Sequence, residues 1–204
     1  VRPDIFNEVY EGLDEANNFM TSPNTLTVSV DEVHLGVPFN TTLSTGQSRV
    51  YRITVDQGET LRVRLTSSEQ DASNELFLRY GDVPTGFQFD AIYQNALQAN
   101  QTAVIPTTKP GEYYILIRGQ AEPKINTSVT ILADVLPFGI TSIKQDQGGD
   151  SRWVTVTITG AKFKPGAIVK LGRPDIAEFE PARYQVIDAT TIIATFDFTD
   201  APHG

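Results

Sequence analysis

The chain has 204 residues, of which 40% are hydrophobic and 20% charged, a composition typical of folded proteins rather than disordered ones. The absence of cysteine excludes disulfides, thiolate metal sites and cysteine nucleophiles. The formal net charge of −9 disfavours nucleic acid as a partner, and no apolar run reaches the roughly 18 residues of a membrane span.

Residues 1–25 form an acidic, asparagine-containing segment, predicted to be a linker or the tail of a preceding domain. The stretch from Glu11 to Asn18 resembles the end of extracellular adhesion-type β-domains related to CARDB. Val1 is not an initiator methionine, which suggests a processed or excised chain.

Strands dominate the next part of the chain. Residues 26–30, 50–55 and 61–66 each alternate apolar and polar side chains, as half-buried strands do. In residues 61–66 the apolar side chains are expected to face inward and the two arginines outward. Residues 56–59, Asp-Gln-Gly-Glu, predict a turn that joins two of these strands as a hairpin.

Two further predicted strands are bounded by clear turn residues. Residues 74–80 alternate and are stopped by Gly81 and Pro84, and residues 113–117 follow a Pro-Gly turn and end at Gly119. The pattern predicts an antiparallel sheet in which one of the adjacent tyrosines at 113 and 114 faces inward and the other outward.

These segments resemble the bacterial pre-peptidase C-terminal domain. The resemblance rests on the pattern G-x-x-x-x-Y-x-(I/V)-x-V-x-x-G-x-x-L-x-V-x-L from Gly46 to Leu65, on D/N-x-L-x-x-R-x-G from Asn74 to Gly81, and on P-G-x-Y-Y-x-x-V/I-R-G from Pro110 to Gly119. It implies a secreted, non-catalytic, jelly-roll-like β-sandwich over residues 26–136.

A second module is predicted over residues 137–204. The pattern V-T-I-x-G-x-x-F-x-x-G-a-x-V-x-L from Val156 to Leu171, with the strand residues 188–196, resembles the IPT/TIG immunoglobulin-like domain. That family continues with further strands after a position such as Gly204, so the immunoglobulin-like sheet is expected to be incomplete. The predicted fold class is therefore all-β, with two tandem β-sandwiches.

Carboxylates are the candidate site residues, because calcium takes six to eight oxygen ligands. Some collagen-binding members of the pre-peptidase family bind calcium through an acidic N-terminal linker and residues near the strand that begins at Asn74. The resemblance thus implies a calcium site at Glu69, Asp71, Asn74 and Asp82, with a second acidic group at Glu11, Asp14, Glu15, Asn17 and Asn18. A solvated acidic surface is the alternative interpretation.

Catalysis is not expected. The only histidines are His34 and His203, and neither lies in a nucleophile motif. Phe87, Phe89 and Tyr93 are spaced like alternate strand positions and are expected to pack in the core, with a sugar- or peptide-binding surface as the alternative. Trp153 is expected at the edge between the two modules.

The predicted function is that of a non-catalytic spacer, stabiliser or adhesion segment of a larger secreted or cell-surface bacterial protein. Its expected partners are the other domains of that protein. Two alternatives remain open: a calcium-assisted binding module for an extracellular polymer such as collagen or polysaccharide, and the accessory region of a secreted peptidase.

Overall fold

The structure is a computed structural model that describes residues 29–145, 153–173 and 177–199. The described residues from Asp31 onward belong to one compact unit, Asp31–Gly204. The predicted tail at 1–25, the second acidic group and most of the predicted strand at 26–30 lie outside the described residues. Every regular element among the described residues is a β-strand, so the all-β prediction is confirmed. Accordingly, the described part of the chain contains no helix capable of spanning a bilayer.

In its described residues, the N-terminal sandwich contains nine strands in two sheets. A five-stranded sheet has the order β1-β3-β8-β5-β6, and a four-stranded sheet has the order β2-β9-β4-β7. The strands are β1 (Asp31–Glu32), β2 (Phe39–Leu43), β3 (Ser48–Val55), β4 (Thr60–Ser67), β5 (Ser73–Tyr80), β6 (Ala91–Ile92), β7 (Gln101–Ile105), β8 (Gly111–Ala121) and β9 (Thr127–Leu136).

Alternating side chains build the core between these two sheets. In β4, Leu61, Val63 and Leu65 are buried, while the intervening Arg62 lies on the outer face. Arg62 forms a bidentate ion pair with Asp134 of β9, with nitrogen–oxygen distances of 3.1 and 2.5 Å. This burial pattern confirms the predicted inward and outward faces of the strand. Each fully buried aliphatic side chain contributes about 1.5–3 kcal/mol.

The predicted hairpin across residues 56–59 is wrong. β3 pairs with β1 and β8 in one sheet, whereas β4 pairs with β7 and β9 in the other. The turn therefore carries the chain across the core from one sheet to the opposite one. Alternation shows that a strand has one buried face, but both sheets of a sandwich offer such a face, so the pattern does not identify the neighbouring strand.

The predicted antiparallel pairing of residues 74–80 with residues 113–117 is confirmed, since these segments lie in β5 and β8. Leu76 lies opposite Ile117, and the register shifts between Ser73 and Asn74, which lie opposite Ala121 and Gly119 respectively. This shift leaves Gln120 as an extra residue in β8 and marks a bulge at the start of β5. Tyr113 is buried and Tyr114 is partly exposed, as the pattern predicts.

The described residues of the C-terminal module form six strands. A four-stranded sheet has the order β10-β11-β15-β14, and β12 and β13 form a separate antiparallel pair. The strands are β10 (Gly139–Lys144), β11 (Trp153–Ala161), β12 (Leu171–Arg173), β13 (Ala177–Phe179), β14 (Arg183–Asp188) and β15 (Thr191–Asp197). Among the described residues, the buried core here comprises five residues, against nineteen in the N-terminal sandwich.

The two modules meet at a junction formed by Glu59, Thr60 and Lys162. Only two residues separate β9 from β10. The Lys162 backbone N–H donates to the Thr60 hydroxyl at 3.2 Å, and the Lys162 ammonium lies 2.6 Å from the Glu59 carboxylate. The prediction that Trp153 lies at the edge between the modules is wrong. Trp153 begins β11, and the eight residue steps to Ala161, next to the junction, span about 26 Å.

Candidate functional site

The four predicted calcium ligands do not form one cluster. Asn74 is the second residue of β5, and Asp82 lies two residues beyond its end. At about 3.3 Å per residue, the six steps from Asn74 to Tyr80 already cover about 20 Å. The Asp82 carboxylate instead pairs with Arg79 at 3.0 Å. Asp82 and Asn74 therefore cannot share one coordination sphere.

Glu69 and Asp71 lie in the turn that leads into β5. The Glu69 carboxylate lies 2.7 Å from the Lys124 ammonium, which belongs to the connection between β8 and β9. Asp71 is exposed. Of the four predicted residues, Glu69 and Asn74 are the two that lie close to further oxygen-bearing side chains, so the site is best described from Asn74 outward.

Asn74 is a fully buried polar residue. Its backbone N–H donates to the Gln98 carbonyl at 3.0 Å, and its side-chain amide donates to the Ala99 carbonyl at 2.9 Å. The side-chain oxygen Oδ1 is buried and has no hydrogen-bond donor among the described residues. A buried, unpaired carbonyl oxygen costs about 1–3 kcal/mol, so this position favours a donor or a cation.

Glu122 is the carboxylate that faces Asn74. It follows β8 directly, and both of its carboxylate oxygens are buried. Thr45 fixes its backbone, since the Glu122 N–H donates to the Thr45 hydroxyl at 2.8 Å and that hydroxyl donates to the Glu122 carbonyl at 3.3 Å. Asn74 and Thr127 lie beside the carboxylate, but Thr127 directs its hydroxyl proton to the Lys124 carbonyl. No hydrogen bond of good geometry reaches the Glu122 oxygens.

Electrostatics reinforce this arrangement. Burial raises the pKa of Glu122, and the neighbouring Glu69 carboxylate raises it further, while contacts with Thr127 and Asn74 lower it. Burial is the largest of these effects because a low-dielectric environment disfavours the charged carboxylate. The site therefore favours either a proton on Glu122 or a bound cation that compensates its charge.

Gly119 allows the surrounding elements to approach. It lies opposite Asn74, and its carbonyl accepts a hydrogen bond of 2.8 Å from the N–H of Gly46. A Cβ atom at this position would lie 2.7 Å from the Ser44 carbonyl oxygen and 3.1 Å from Cγ of Glu122. The strand end, the turn before β3 and the Glu122 side chain pack together because residue 119 has no side chain.

The chemistry available here is that of hard oxygen ligands. Glu122, Glu69 and the Asn74 carbonyl combine two carboxylates with one amide oxygen, the ligand types that calcium prefers. No group of three or more histidine, aspartate or glutamate residues suited to a metal ion occurs in residues 29–145, 153–173 and 177–199. A cation at this site would therefore need water or further oxygen ligands to complete its coordination.

The sequence predicted Asn74 and Glu69 but missed Glu122. Glu122 lies 48 positions after Asn74 and approaches it through the β5–β8 register and its bulge. The nearest signal in the sequence is Gly119 at the end of the β8 motif, because a glycine there allows Ser44 and the Glu122 side chain to pack closely against the strand. Composition and local spacing do not report such a long-range contact.

The aromatic residues after β5 differ from the prediction. They lie mainly in a loop rather than a strand, and Phe87 is 98% exposed, so its predicted core position is wrong. Phe89 and Tyr93 pack on the buried Phe77, with ring centroids 5.7 and 5.6 Å apart. Tyr93 is partly buried and also packs against the main core, as predicted, whereas Phe77 and Phe89 are not part of that core cluster.

The histidines occupy two different situations. His34 is exposed in the turn between β1 and β2, where its carbonyl accepts a hydrogen bond from the Val37 N–H. His203 lies outside the described residues.

Part of the N-terminal sandwich matches a known protein family. Residues 47–119 match the family model of the bacterial pre-peptidase C-terminal domain. This segment extends from the start of β3 to the end of the β8 motif and contains both Asn74 and Gly119. The resemblances of residues 137–204 to IPT/TIG domains and of the N-terminal segment to CARDB-related domains remain predictions.

Several solved structures are similar to this chain. One is the pre-peptidase C-terminal domain of collagenase from Bacillus anthracis, at 13% identity and a TM-score of 0.42, with 54% of this chain and 100% of that chain covered. A second is the solution structure of "vEP C-ter 100", at 21% identity and a TM-score of 0.40, with 50% and 96% covered.

A third is CorA, a surface-associated copper-binding protein of Methylomicrobium album BG8, at 10% identity and a TM-score of 0.39, with 52% and 98% covered. No curated protein sequence matches the chain.

Proposed function

We propose that this chain is a non-catalytic spacer segment of a larger secreted or cell-surface bacterial protein. Pre-peptidase C-terminal domains are typically non-catalytic parts of secreted peptidases and surface proteins, which supports this assignment for residues 47–119. The observation that carries the proposal is the junction of Glu59, Thr60 and Lys162, because a spacer must transmit orientation from one module to the next.

The junction is built from groups that are already held in place. Thr60 is fully buried, donates its hydroxyl proton to the Pro106 carbonyl at 2.9 Å and accepts the Lys162 N–H. The backbone N–H of Glu59 donates to the Thr108 hydroxyl at 3.0 Å. Since these anchors belong to the N-terminal sandwich, Lys162 connects β11 of the C-terminal module to a rigid surface.

Pulsed electron paramagnetic resonance tests the spacer role. Spin labels on an outer position of β3 and an outer position of β15 should give a narrow distance distribution in the intact chain. The double variant Thr60→Val and Lys162→Met removes both junction contacts and should broaden that distribution. Lys170→Met is the matched control, because Lys170 pairs with Glu178 inside the C-terminal module. An equally broad distribution in all three proteins would reject a rigid spacer.

The enzymatic context is tested separately. The purified chain should not hydrolyse casein, gelatin or common polysaccharides, and turnover abolished by a point substitution within the chain would contradict the non-catalytic assignment. A peptidase domain in the same open reading frame would make the spacer an accessory region of a secreted peptidase. Repeated β-modules in that frame would make it part of a stalk.

Calcium-assisted binding of an extracellular polymer is the second candidate function. The Oδ1 of the buried Asn74 and the buried carboxylate of Glu122 favour it, since each is a buried oxygen ligand without a hydrogen-bond donor of good geometry. A ligand that binds only the folded state stabilises it by about 2.7 kcal/mol at one hundred times its Kd. Calcium binding at this site would therefore raise the melting temperature.

The calcium test compares melting in millimolar calcium with melting in a chelator. The wild-type chain should gain stability in calcium, Glu122→Gln should lose that gain, and Glu180→Gln should keep it, because the Glu180 side chain is 78% exposed. Melting temperatures that do not change with calcium would reject this candidate while leaving the spacer role intact.

Substitution of the exposed Phe87 tests polymer binding separately from calcium binding. Aromatic rings supply large contact area at low entropic cost, and this ring is almost fully available to a partner. Retention on collagen or polysaccharide arrays should weaken in Phe87→Ala if the chain binds such polymers. No retention of the wild-type chain on either array would reject polymer binding.

A further inference from the structure

The segment from Val83 to Asn100, which connects β5 to β7 and contains β6, carries very little charge. Asp90 is its one charged residue, although 20% of the whole chain is charged. The Asp90 carboxylate already accepts a hydrogen bond of 2.7 Å from the Tyr80 N–H. The segment therefore offers no unpaired charge to a partner, which disfavours charged peptides and acidic polymers.

The charged side chains of the neighbouring strand β5 are also paired. Arg79 lies 3.0 Å from the Asp82 carboxylate, and Glu75 lies 3.2 Å from the Arg118 guanidinium. The surface formed by residues 83–100 is thus neutral in its own residues and is flanked by charges that are already compensated.

Large apolar side chains of this surface project into solvent. Phe87 is 98% exposed and Leu97 is 79% exposed, while Val83, Phe89 and Ile92 are each more than a third exposed. Leu97 has a φ of 61°, in the left-handed region that a leucine rarely adopts. A strained backbone that holds an apolar side chain in solvent supports a binding role for the segment.

The surface is elongated because the segment runs antiparallel to β5. Three backbone hydrogen bonds of 2.8 to 3.0 Å join the two: Asp90 N–H to the Leu78 carbonyl, Tyr93 N–H to the Leu76 carbonyl, and Asn74 N–H to the Gln98 carbonyl. The four residue steps from Asn74 to Leu78 alone span about 13 Å. A surface of this length suits an extended polymer better than a single small molecule.

A polar depression of about 550 Å³ opens at the Asn74 end of this surface. Four of its six lining residues are exposed amides, namely Gln70, Asn95, Gln98 and Asn100. An amide side chain both donates and accepts hydrogen bonds, so it matches a hydroxyl group, which does the same. The depression therefore suits a polyhydroxylated ligand.

Two buried amide side chains hold the wall of this depression. Gln101 is 1% exposed, and its Nε2 donates to the carbonyls of Asn95 and Gln98 at 2.6 and 2.8 Å. The buried Asn74 amide donates to the Ala99 carbonyl at 2.9 Å. Because the backbone is fixed before a ligand arrives, less conformational entropy is lost on binding.

The backbone of the segment offers little to a peptide that adds as a strand. The N–H groups of residues 87, 88, 90, 93, 94 and 98 all donate within the chain. Strand addition takes its affinity from main-chain hydrogen bonds, so recognition here depends on side chains instead. Exposed aromatic rings and amides together match a sugar ring, which presents an apolar C–H face and hydroxyl groups at its edge.

We propose that the surface from Val83 to Asn100 binds a neutral polysaccharide. The Phe87 ring packs against the apolar face of one sugar unit, and Asn95 and Gln98 bond the hydroxyls of another unit in the depression. The proposal rests on the second candidate function, polymer binding, and narrows it to an uncharged carbohydrate chain. The spacer role does not depend on it.

Affinity electrophoresis of the 204-residue chain tests the proposal in gels that contain a dissolved polymer. At least one of the neutral polysaccharides dextran, laminarin, galactomannan and hydroxyethyl cellulose should retard the chain, whereas polygalacturonate and gelatin should not. Phe87→Ala should raise the Kd at least about tenfold, because aromatic anchors carry a large share of binding energy. No retardation by any of the four neutral polymers would overturn the proposal, and retardation by gelatin alone would assign the surface to polypeptides.

Two further variants separate this surface from other exposed groups. Phe138→Ala removes an aromatic ring that is 71% exposed in the C-terminal module, and it should bind as the wild type does. The double variant Asn95→Ala and Gln98→Ala should raise the Kd at least about threefold, since it removes hydrogen bonds to the sugar. Equal retardation of the wild type, Phe87→Ala and the double variant would overturn the proposal.

Light scattering excludes the remaining occupant, a second copy of the chain. The wild-type chain should be monomeric at the concentrations used for electrophoresis, and a dimer that Phe87→Ala dissociates would overturn the proposal. The spin-label distances decide the spacer role in every case, so failure of polysaccharide binding is distinguishable from failure of the proposed function.

Discussion

Replacing Gly119 by alanine should destabilise the N-terminal sandwich. The new Cβ atom would lie 2.7 Å from the Ser44 carbonyl oxygen, and it must retreat by about 0.7 Å to reach the 3.4 Å at which ordinary contact begins. Ser44 offers backbone rather than a flexible side chain, so β8 and the turn before β3 have to separate. That movement strains the hydrogen bonds of 2.8 and 3.0 Å that link Gly119 with Gly46 and Gln47.

The size of the effect follows from these two contributions. Overpacking of a tight contact costs about 1–3 kcal/mol, and the two strained hydrogen bonds, each weakened by about 0.5 kcal/mol, add about 1 kcal/mol. We expect Gly119→Ala to lower the free energy of unfolding by about 2–4 kcal/mol. At about 2–4 °C for each kcal/mol in a chain of this size, the melting temperature should fall by about 4–16 °C.

Urea titration and calorimetry measure this change, with Gly86→Ala as the matched control. A Cβ atom at Gly86 meets nothing within 4 Å, so that substitution should change the unfolding free energy by no more than about 0.5 kcal/mol. If Gly119→Ala and Gly86→Ala melt together, the close approach of β8 to Ser44 is not rigid. The proposed packing around Glu122 would then lose its support.

Three further predictions concern burial, charge and close packing. Leu78→Ala should lower the unfolding free energy by about 2–5 kcal/mol in urea titrations, because this fully buried side chain leaves a cavity. Burial raises the pKa of Glu122, so the folded chain keeps this proton to a higher pH than the unfolded chain does. The free energy of unfolding should therefore fall as pH rises from the ordinary glutamate pKa through the raised pKa of Glu122. In a pH series of urea titrations, Glu122→Gln should flatten this part of the stability profile. Gly160→Ala should separate β10 from β11, because a methyl group there overlaps the Gly139 carbonyl oxygen, whereas Gly172→Ala meets nothing and should leave hydrogen exchange in β10 unchanged.

The strands were predictable because local alternation determines them. Residues 61–66 and 154–158 have their apolar side chains on one face in the structure, as period-two patterning requires. Their pairing was less accessible, and β4 joined the sheet opposite β3 rather than forming a hairpin with it. The sheet that a strand joins depends on contacts between segments distant in sequence, and a local pattern does not report those contacts.

In the candidate site, too, local features could be predicted from the sequence and long-range contacts could not. Asn74 could be predicted from a motif in its own strand, but Glu122 reaches it only through the register of β5 and β8 and the bulge between them. Phe87 has the spacing of a strand residue, yet the Thr85 hydroxyl accepts the Phe87 and Gln88 N–H groups and forms a turn that exposes the ring. Side-chain hydrogen bonds of this kind override a weak alternation.

The central claim is that the two β-modules are held together as one structural unit. Backbone ¹⁵N relaxation of the 204-residue chain tests it most directly, by comparing the rotational correlation times of amides in β3 and β8 with those in β11 and β15. We predict one common correlation time for both sets, because Thr60 and Glu59 hold Lys162 across the junction. Two distinct and shorter correlation times, each appropriate to a separate small domain, would contradict the account.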